Sequence, residues 1–175
     1  AFGVGAVAAI VAWTQMPATP RRGDSGPPAS FTALYGRVFA NPKAAWLFAA
    51  VTFEGALFYG LFPFMGELLV ATTARGGNAI SIETGIVLGA FGIGGLLYAA
   101  SVRLLLRRLG VRRMCLIGSA GAAACYAALA VAPLWWLDAA AMFCAGIAFY
   151  MLHNSMQTEA TELAPSARGS AVALF

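Results

Sequence analysis

The sequence predicts an all-α, multi-pass membrane protein. Four long apolar stretches, about Ala44–Thr72, Thr84–Leu106, Met114–Leu137 and Ala139–Thr158, fill most of the 175 residues. The composition is 61% hydrophobic and 10% charged, whereas a soluble domain carries about 25% charged residues. So little polar surface makes lipid the solvent for most of the chain. The basic residues crowd into alternate gaps between the stretches, as they do in a bundle of fixed orientation.

Each stretch is long enough to cross. At about 1.5 Å per residue, roughly 20 apolar residues span the ~30 Å hydrocarbon layer. Before the first full span, Ala1–Trp13 is apolar but short, and it meets its positive charges only afterwards, at Arg21. A signal peptide carries its charge first, so residues 1–13 read as the end of a helix already crossing inward. Residues 14–43 read as a linker. Its first part, TQMPATPRRGDSGPPAS, holds four prolines and two glycines, and it cannot bury enough surface to offset its ordering entropy. Phe31–Ala40 regains an amphipathic pattern suited to the membrane surface, and Asn41-Pro42 opens the next helix. Residues 44–175 then form a transmembrane bundle. Ala171–Phe175 begins a further apolar run that stops within two turns, so the sequence reads as an internal fragment with a partial helix at each end.

Lys and Arg set the orientation. Arg21, Arg22, Arg37 and Lys43 precede the first full span, Arg103, Arg107, Arg108, Arg112 and Arg113 lie between the second and third, and Arg168 follows the fourth. Only Arg75 lies on the other side. The positive-inside rule places the crowded side in the cytoplasm, and Trp135 and Trp136 mark the opposite interface as an aromatic belt. The net charge of +4 is therefore a topology signal and gives no reason to expect a nucleic-acid partner. Cys115, Cys125 and Cys144 show no CxxC spacing and read as small hydrophobes, so no disulfide, metal site or cofactor is expected.

The turn Arg107-Arg108-Leu109-Gly110-Val111-Arg112-Arg113, after Leu104-Leu105-Leu106, resembles the loop signature of the major facilitator superfamily, in which a basic-x-Gly-x-basic turn joins two antiparallel spans. Gly tolerates the positive φ of a sharp turn, and the arginines pin both helix ends to the interface. Where the family's strongest form has Gly and Asp, this chain has Arg103 and Arg107, a departure that resembles the second-half copy of the loop. The resemblance implies that residues 1–13 are the end of helix 6, that the four full runs are helices 7 to 10, and that Thr161–Ala171 leads into helix 11. It also implies two six-helix bundles around a cavity that opens alternately to either face, lined on this side by helices 7 and 10. The missing N-terminal half would supply the other wall. The function implied is a secondary transporter of a small solute, resembling proton-coupled drug or sugar efflux permeases and antiporters of the bacterial inner membrane. A non-transporting sensor or scaffold of the same fold is the alternative.

The polar residues inside the spans point to the same two helices. Glu54 lies about ten residues into its span. Burying a carboxylate there costs several kcal/mol unless it is protonated, paired or facing water, so it is a candidate for the substrate or proton pathway. Glu67, near the outer end, reads as solvated. Tyr150, His153, Asn154 and Gln157, spaced 0, 3, 4 and 7, fall on one helix face. That stripe lines a cavity or bonds neighbouring helices, and an imidazole exchanges protons near neutral pH.

Two further sets complete the reading. Gly85, Gly89, Gly92 and Gly95, with Gly94 beside them, form a small face for close helix packing, and Gly118, Gly121, Ala122 and Cys125 form another. Glu159, Glu162 and Arg168 surround the exit from the last full span, near the loop arginines, and read either as solvated loop charges or as a conformational latch of salt bridges. No enzyme is expected: no nucleophile is paired with a base, and the Gly-rich run follows no strand and lacks a GK[ST] ending.

Overall fold

In the computed structural model, residues 30–73, 78–163, 165 and 168–175 are described. The expected helix end at 1–13, the linker up to residue 29, and Arg75 lie outside the described residues. The described elements are α1 (Phe31–Phe39), α2 (Lys43–Leu61), a 3-10 turn (Phe62–Phe64), α3 (Met65–Thr73), α4 (Asn78–Val131), α5 (Trp135–Leu163) and α6 (Arg168–Leu174).

Three helical segments among the described residues are long and apolar enough to cross a membrane: Lys43–Thr72, Ala79–Val131 and Trp135–Leu163. A straight helix as long as the second would extend about 80 Å. It does not run straight, because Gly110 has φ 72° and ψ 164°, a conformation that is essentially reserved for glycine. The chain folds back there. Tyr98 and Met114, which a continuous helix would hold about 24 Å apart, share one buried cluster with Met151. The four apolar runs expected from the sequence are thus present as helical segments: α2–α3, the two arms of α4 (78–109 and 111–131) and α5.

Several boundaries differ from the sequence reading. The run expected over Met114–Leu137 ends at Val131, and Trp135–Leu137 already belong to α5. Pro133 has no N–H to continue the ladder, and the new helix starts with Leu137 N–H donating to the Leu134 carbonyl at 2.9 Å. Hydropathy hides this turn because Ala132, Leu134 and both tryptophans flanking it are apolar. α5 extends to Leu163, past Thr158, and α4 begins at Asn78, ahead of Thr84. The first run is interrupted at Phe62–Phe64, where Pro63 tightens one turn to 3-10 geometry.

α5 is the central element. The first arm of α4 runs parallel to it, with Phe91 beside Gly146 and Tyr98 beside Tyr150. The second arm runs antiparallel, with Gly118 against Ala148 and Leu152. α2 is also antiparallel to α5, from Ala44 near Leu163 to Phe58 against Phe149. The main core, which includes Phe58, Leu69, Phe91, Met142 and Phe149, lies between these helices. The outward faces stay apolar, with Trp46 82% and Val131 78% exposed, as a lipid solvent requires. Asn41 joins two helix ends: its Oδ1 accepts from Lys43 N–H at 3.0 Å, and its Nδ2 donates to the Leu163 carbonyl at 3.1 Å.

Candidate functional site

The antiparallel pairing of α2 and α5 brings together two residues singled out separately in the sequence. Glu54 Oε2 lies 3.0 Å from His153 Nδ1. The glutamate side chain is 3% exposed and the histidine 29%, so the pair spans the boundary between the packed interior and an open face. Glu54 Oε1 is buried without a hydrogen-bond partner among the described residues. The imidazole is held by aromatic rings: it stacks on Phe149 at a centroid distance of 5.0 Å and meets the edge of Phe175 at 4.9 Å. A second tie lies about one turn further along α2, where the Tyr126 hydroxyl donates to the Leu57 carbonyl at 2.7 Å. Glu54 and Tyr126 share a cavity of about 390 Å³, bordered by Phe53, Ser119 and Leu152.

The remaining residues of the expected stripe point elsewhere. Tyr150 stacks on Tyr98, with ring centroids 6.2 Å apart and planes 18° from parallel. Tyr150 and Asn154 line a groove of about 340 Å³ against the first arm of α4, floored by Gly92 and Gly95. One helix face thus serves two sides, His153 toward α2 and Asn154 toward α4. Gln157 is half-buried, and its side chain makes no hydrogen bond among the described residues.

The small residues show where the helices approach most closely. A Cβ on Gly94 would collide with the Phe143 carbonyl, one on Gly146 with the Phe91 carbonyl, and one on Gly95 with the Tyr150 ring. Gly85, Gly89 and Gly92 have nothing within 4 Å of such a Cβ. Of the expected Gly85-Gly89-Gly92-Gly95 face, Gly95 and the neighbouring Gly94 therefore lie at the tight approach, while Gly85, Gly89 and Gly92 look away from it. The phase explains the shift: Glu83, Val87, Phe91 and Gly94 form the buried row of this arm, and the three glycines stand outside that row.

Arg107, Arg108, Arg112 and Arg113 are all exposed around Gly110. Glu159 lines a groove with Lys43 and Arg112, yet forms no ion pair with either among the described residues. Glu162 is exposed at the end of α5, and the Arg168 side chain lies outside the described residues. The expected charge latch is not assembled in this conformation from Glu159 and the loop arginines.

The whole chain, residues 1–175, matches the profile of the Major Facilitator Superfamily. The chain belongs to the major facilitator superfamily. No curated protein and no solved structure matches it. Superfamily members are transporters, so this protein is an integral, multi-pass membrane transporter of a small-molecule substrate and not an enzyme.

Three polar groups of this superfamily member were missed in the sequence. Asp138 is fully buried in the first turn of α5, with neither carboxylate oxygen hydrogen-bonded among the described residues. Glu83 is buried on the first arm of α4, and the Tyr98 hydroxyl is buried without a hydrogen-bond partner among the described residues. Asp138 and Glu83 fall just outside the apolar runs that begin at Ala139 and Thr84. Their registers with Met142 and Val87, each four residues on, were the available signal.

Proposed function

We propose that the protein is a proton-coupled secondary transporter that exports a small solute by alternating access, with Glu54 and His153 as the proton-exchanging pair. The Glu54–His153 contact at 3.0 Å carries this reading. With one proton between them, carboxyl and imidazole hold α2 against α5, as an ion pair or as a neutral hydrogen bond. A second proton gives a neutral carboxyl facing an imidazolium, which weakens that hold and frees α2 to move relative to α5. Glu54 Oε1, buried and unpartnered, supplies an acceptor that a cationic or hydrogen-bonding solute competes for. Proton and solute then exclude one another, as exchange transport requires.

Tyr150, Asn154 and Gln157 serve as hydrogen-bonding groups toward the solute. In this reading α2 corresponds to helix 7 and α5 to helix 10, residues 14–43 form the cytoplasmic linker, and a second six-helix bundle supplies the facing wall. The Arg107–Arg113 turn lies on the cytoplasmic side, and the membrane is the bacterial inner membrane. Glu159 meets the basic turn only in another conformation.

The test is transport by the intact protein in proteoliposomes across a solute panel, with and without a proton gradient, comparing the parent with Glu54→Gln. Loss of gradient-driven movement with solute binding retained assigns Glu54 to coupling. Unchanged transport removes it from the mechanism, and a protein that moves no solute under any gradient supports the sensor or scaffold reading.

A further inference from the structure

We propose that a groove between α2, the second arm of α4 and the end of α5 binds a monoanionic phospholipid of the phosphatidylglycerol type. The groove encloses about 530 Å³, and its walls include Trp46, Leu47 and Leu116, with Lys43, Arg112 and Glu159 as its charged residues. Two cations and one carboxylate leave a net charge of +1, which one phosphate diester neutralises. Lys43 and Arg112 make no ion pair among the described residues, and neither is committed to a carboxylate of that set. Glu159 disfavours a bare or multiply charged phosphate and accepts hydrogen bonds from headgroup hydroxyls. Below the charges the wall is apolar, which suits an acyl chain and excludes a soluble phosphate ester as the better ligand.

The mouth is built by the fold. Asn41 fixes the start of α2, just before Lys43, to the end of α5 at Leu163. The Gly110 turn fixes Arg112 at the start of the second arm of α4. The two cations therefore come from separate helices held at one level, the same end of the bundle as the basic turn, where anionic headgroups concentrate under the positive-inside rule. Trp46, 82% exposed, stands at this rim as an interfacial aromatic. The site is independent of proton coupling.

Trp46 also reports on the site. In the intact protein with Trp13, Trp135, Trp136 and any other tryptophan replaced by Phe, Trp46 fluorescence is quenched by brominated phosphatidylglycerol and, separately, by brominated phosphatidylcholine in nanodiscs. The expected preference for the anionic lipid is about fivefold per engaged cation. It falls to about onefold in Lys43→Gln/Arg112→Gln, is kept in Lys43→Arg/Arg112→Lys, and rises in Glu159→Gln. Arg107→Gln/Arg108→Gln, which removes equal charge outside the groove, leaves most of the preference in place. Equal quenching by both lipids overturns the proposal, as does quenching by neither, which would mean that protein covers the groove. An equal loss of preference in the Arg107/Arg108 variant also overturns it, since a diffuse basic field would then suffice.

Discussion

Gly94 and Gly146 face each other across the contact between the first arm of α4 and α5, and substituting either by Ala places a methyl on backbone atoms. The obstacles are the Phe143 and Phe91 carbonyl oxygens, which cannot rotate away as a flexible side chain can. The two helices must therefore part, loosening the packing of Phe91, Ala145 and Phe149 in the same core. Overpacking of this kind costs about 1–3 kcal/mol. In lipid, close backbone approach is itself the main source of helix association, so the upper part of that range is expected. Each glycine meets the other helix at the same crossing, so the two substitutions are strongly non-additive: once the helices have separated, the second methyl adds under about 1 kcal/mol. SDS-driven unfolding of the protein in mixed micelles, followed by circular dichroism, measures both quantities. Gly92→Ala is the control, with nothing within 4 Å of its Cβ, and is expected within about 0.5 kcal/mol of the parent. Equal stability of the Gly94→Ala and Gly92→Ala proteins would refute the assignment of the close-packed face.

Other outcomes follow from the remaining contacts. A double-mutant cycle on Glu54→Gln and His153→Ala should give a coupling energy of about 1–3 kcal/mol, below the 3–5 kcal/mol for breaking a fully buried pair because the imidazole is partly exposed; a value near zero means the two side chains do not interact. Tyr126→Phe removes the donor to the Leu57 carbonyl and should cost about 1 kcal/mol in the same unfolding assay, whereas an unchanged midpoint would show that water replaces that bond freely. Gly110→Ala forces a Cβ into a conformation disfavoured by about 1–3 kcal/mol, so folded yield and stability should both fall; tolerance at parental levels contradicts the sharp turn. Cysteine-accessibility labelling in cells should find the Arg107–Arg113 turn and the Pro133 turn on opposite sides of the membrane, and labelling of both from one side would remove the four-crossing topology.

Much of the fold was legible because lipid imposes a coarse rule on sequence: an apolar run of sufficient length must become a helix, and arginine stays outside. Gly110 was legible for a related reason, since a glycine flanked by arginines between two apolar runs leaves little choice but a turn. The Pro133 turn was harder to place, because the residues around it are as apolar as the helices it joins. Of the Gly85-Gly89-Gly92-Gly95 face only Gly95, with Gly94 beside it, is close-packed, because small residues permit close approach without requiring it. Which glycine face is used depends on the partner helix, and Gly146 with the Phe91 carbonyl decides that here. Glu54 and His153 stood out individually as polar groups in apolar runs. Their meeting could not be read from spacing, since 99 residues separate them and only the antiparallel register of α2 and α5 brings them together. Asp138 did not stand out because it falls between the Met114–Leu137 and Ala139–Thr158 runs.

The most direct test of the coupling pair counts protons. Detergent-solubilised protein in weak buffer with a pH indicator is mixed with a solute it transports, and proton release is followed as the solute binds. If Glu54 and His153 hold the exchangeable proton, the parent releases up to one proton per solute bound, and Glu54→Gln binds the solute with no release. Release of the same number of protons by the parent and by Glu54→Gln would contradict the account.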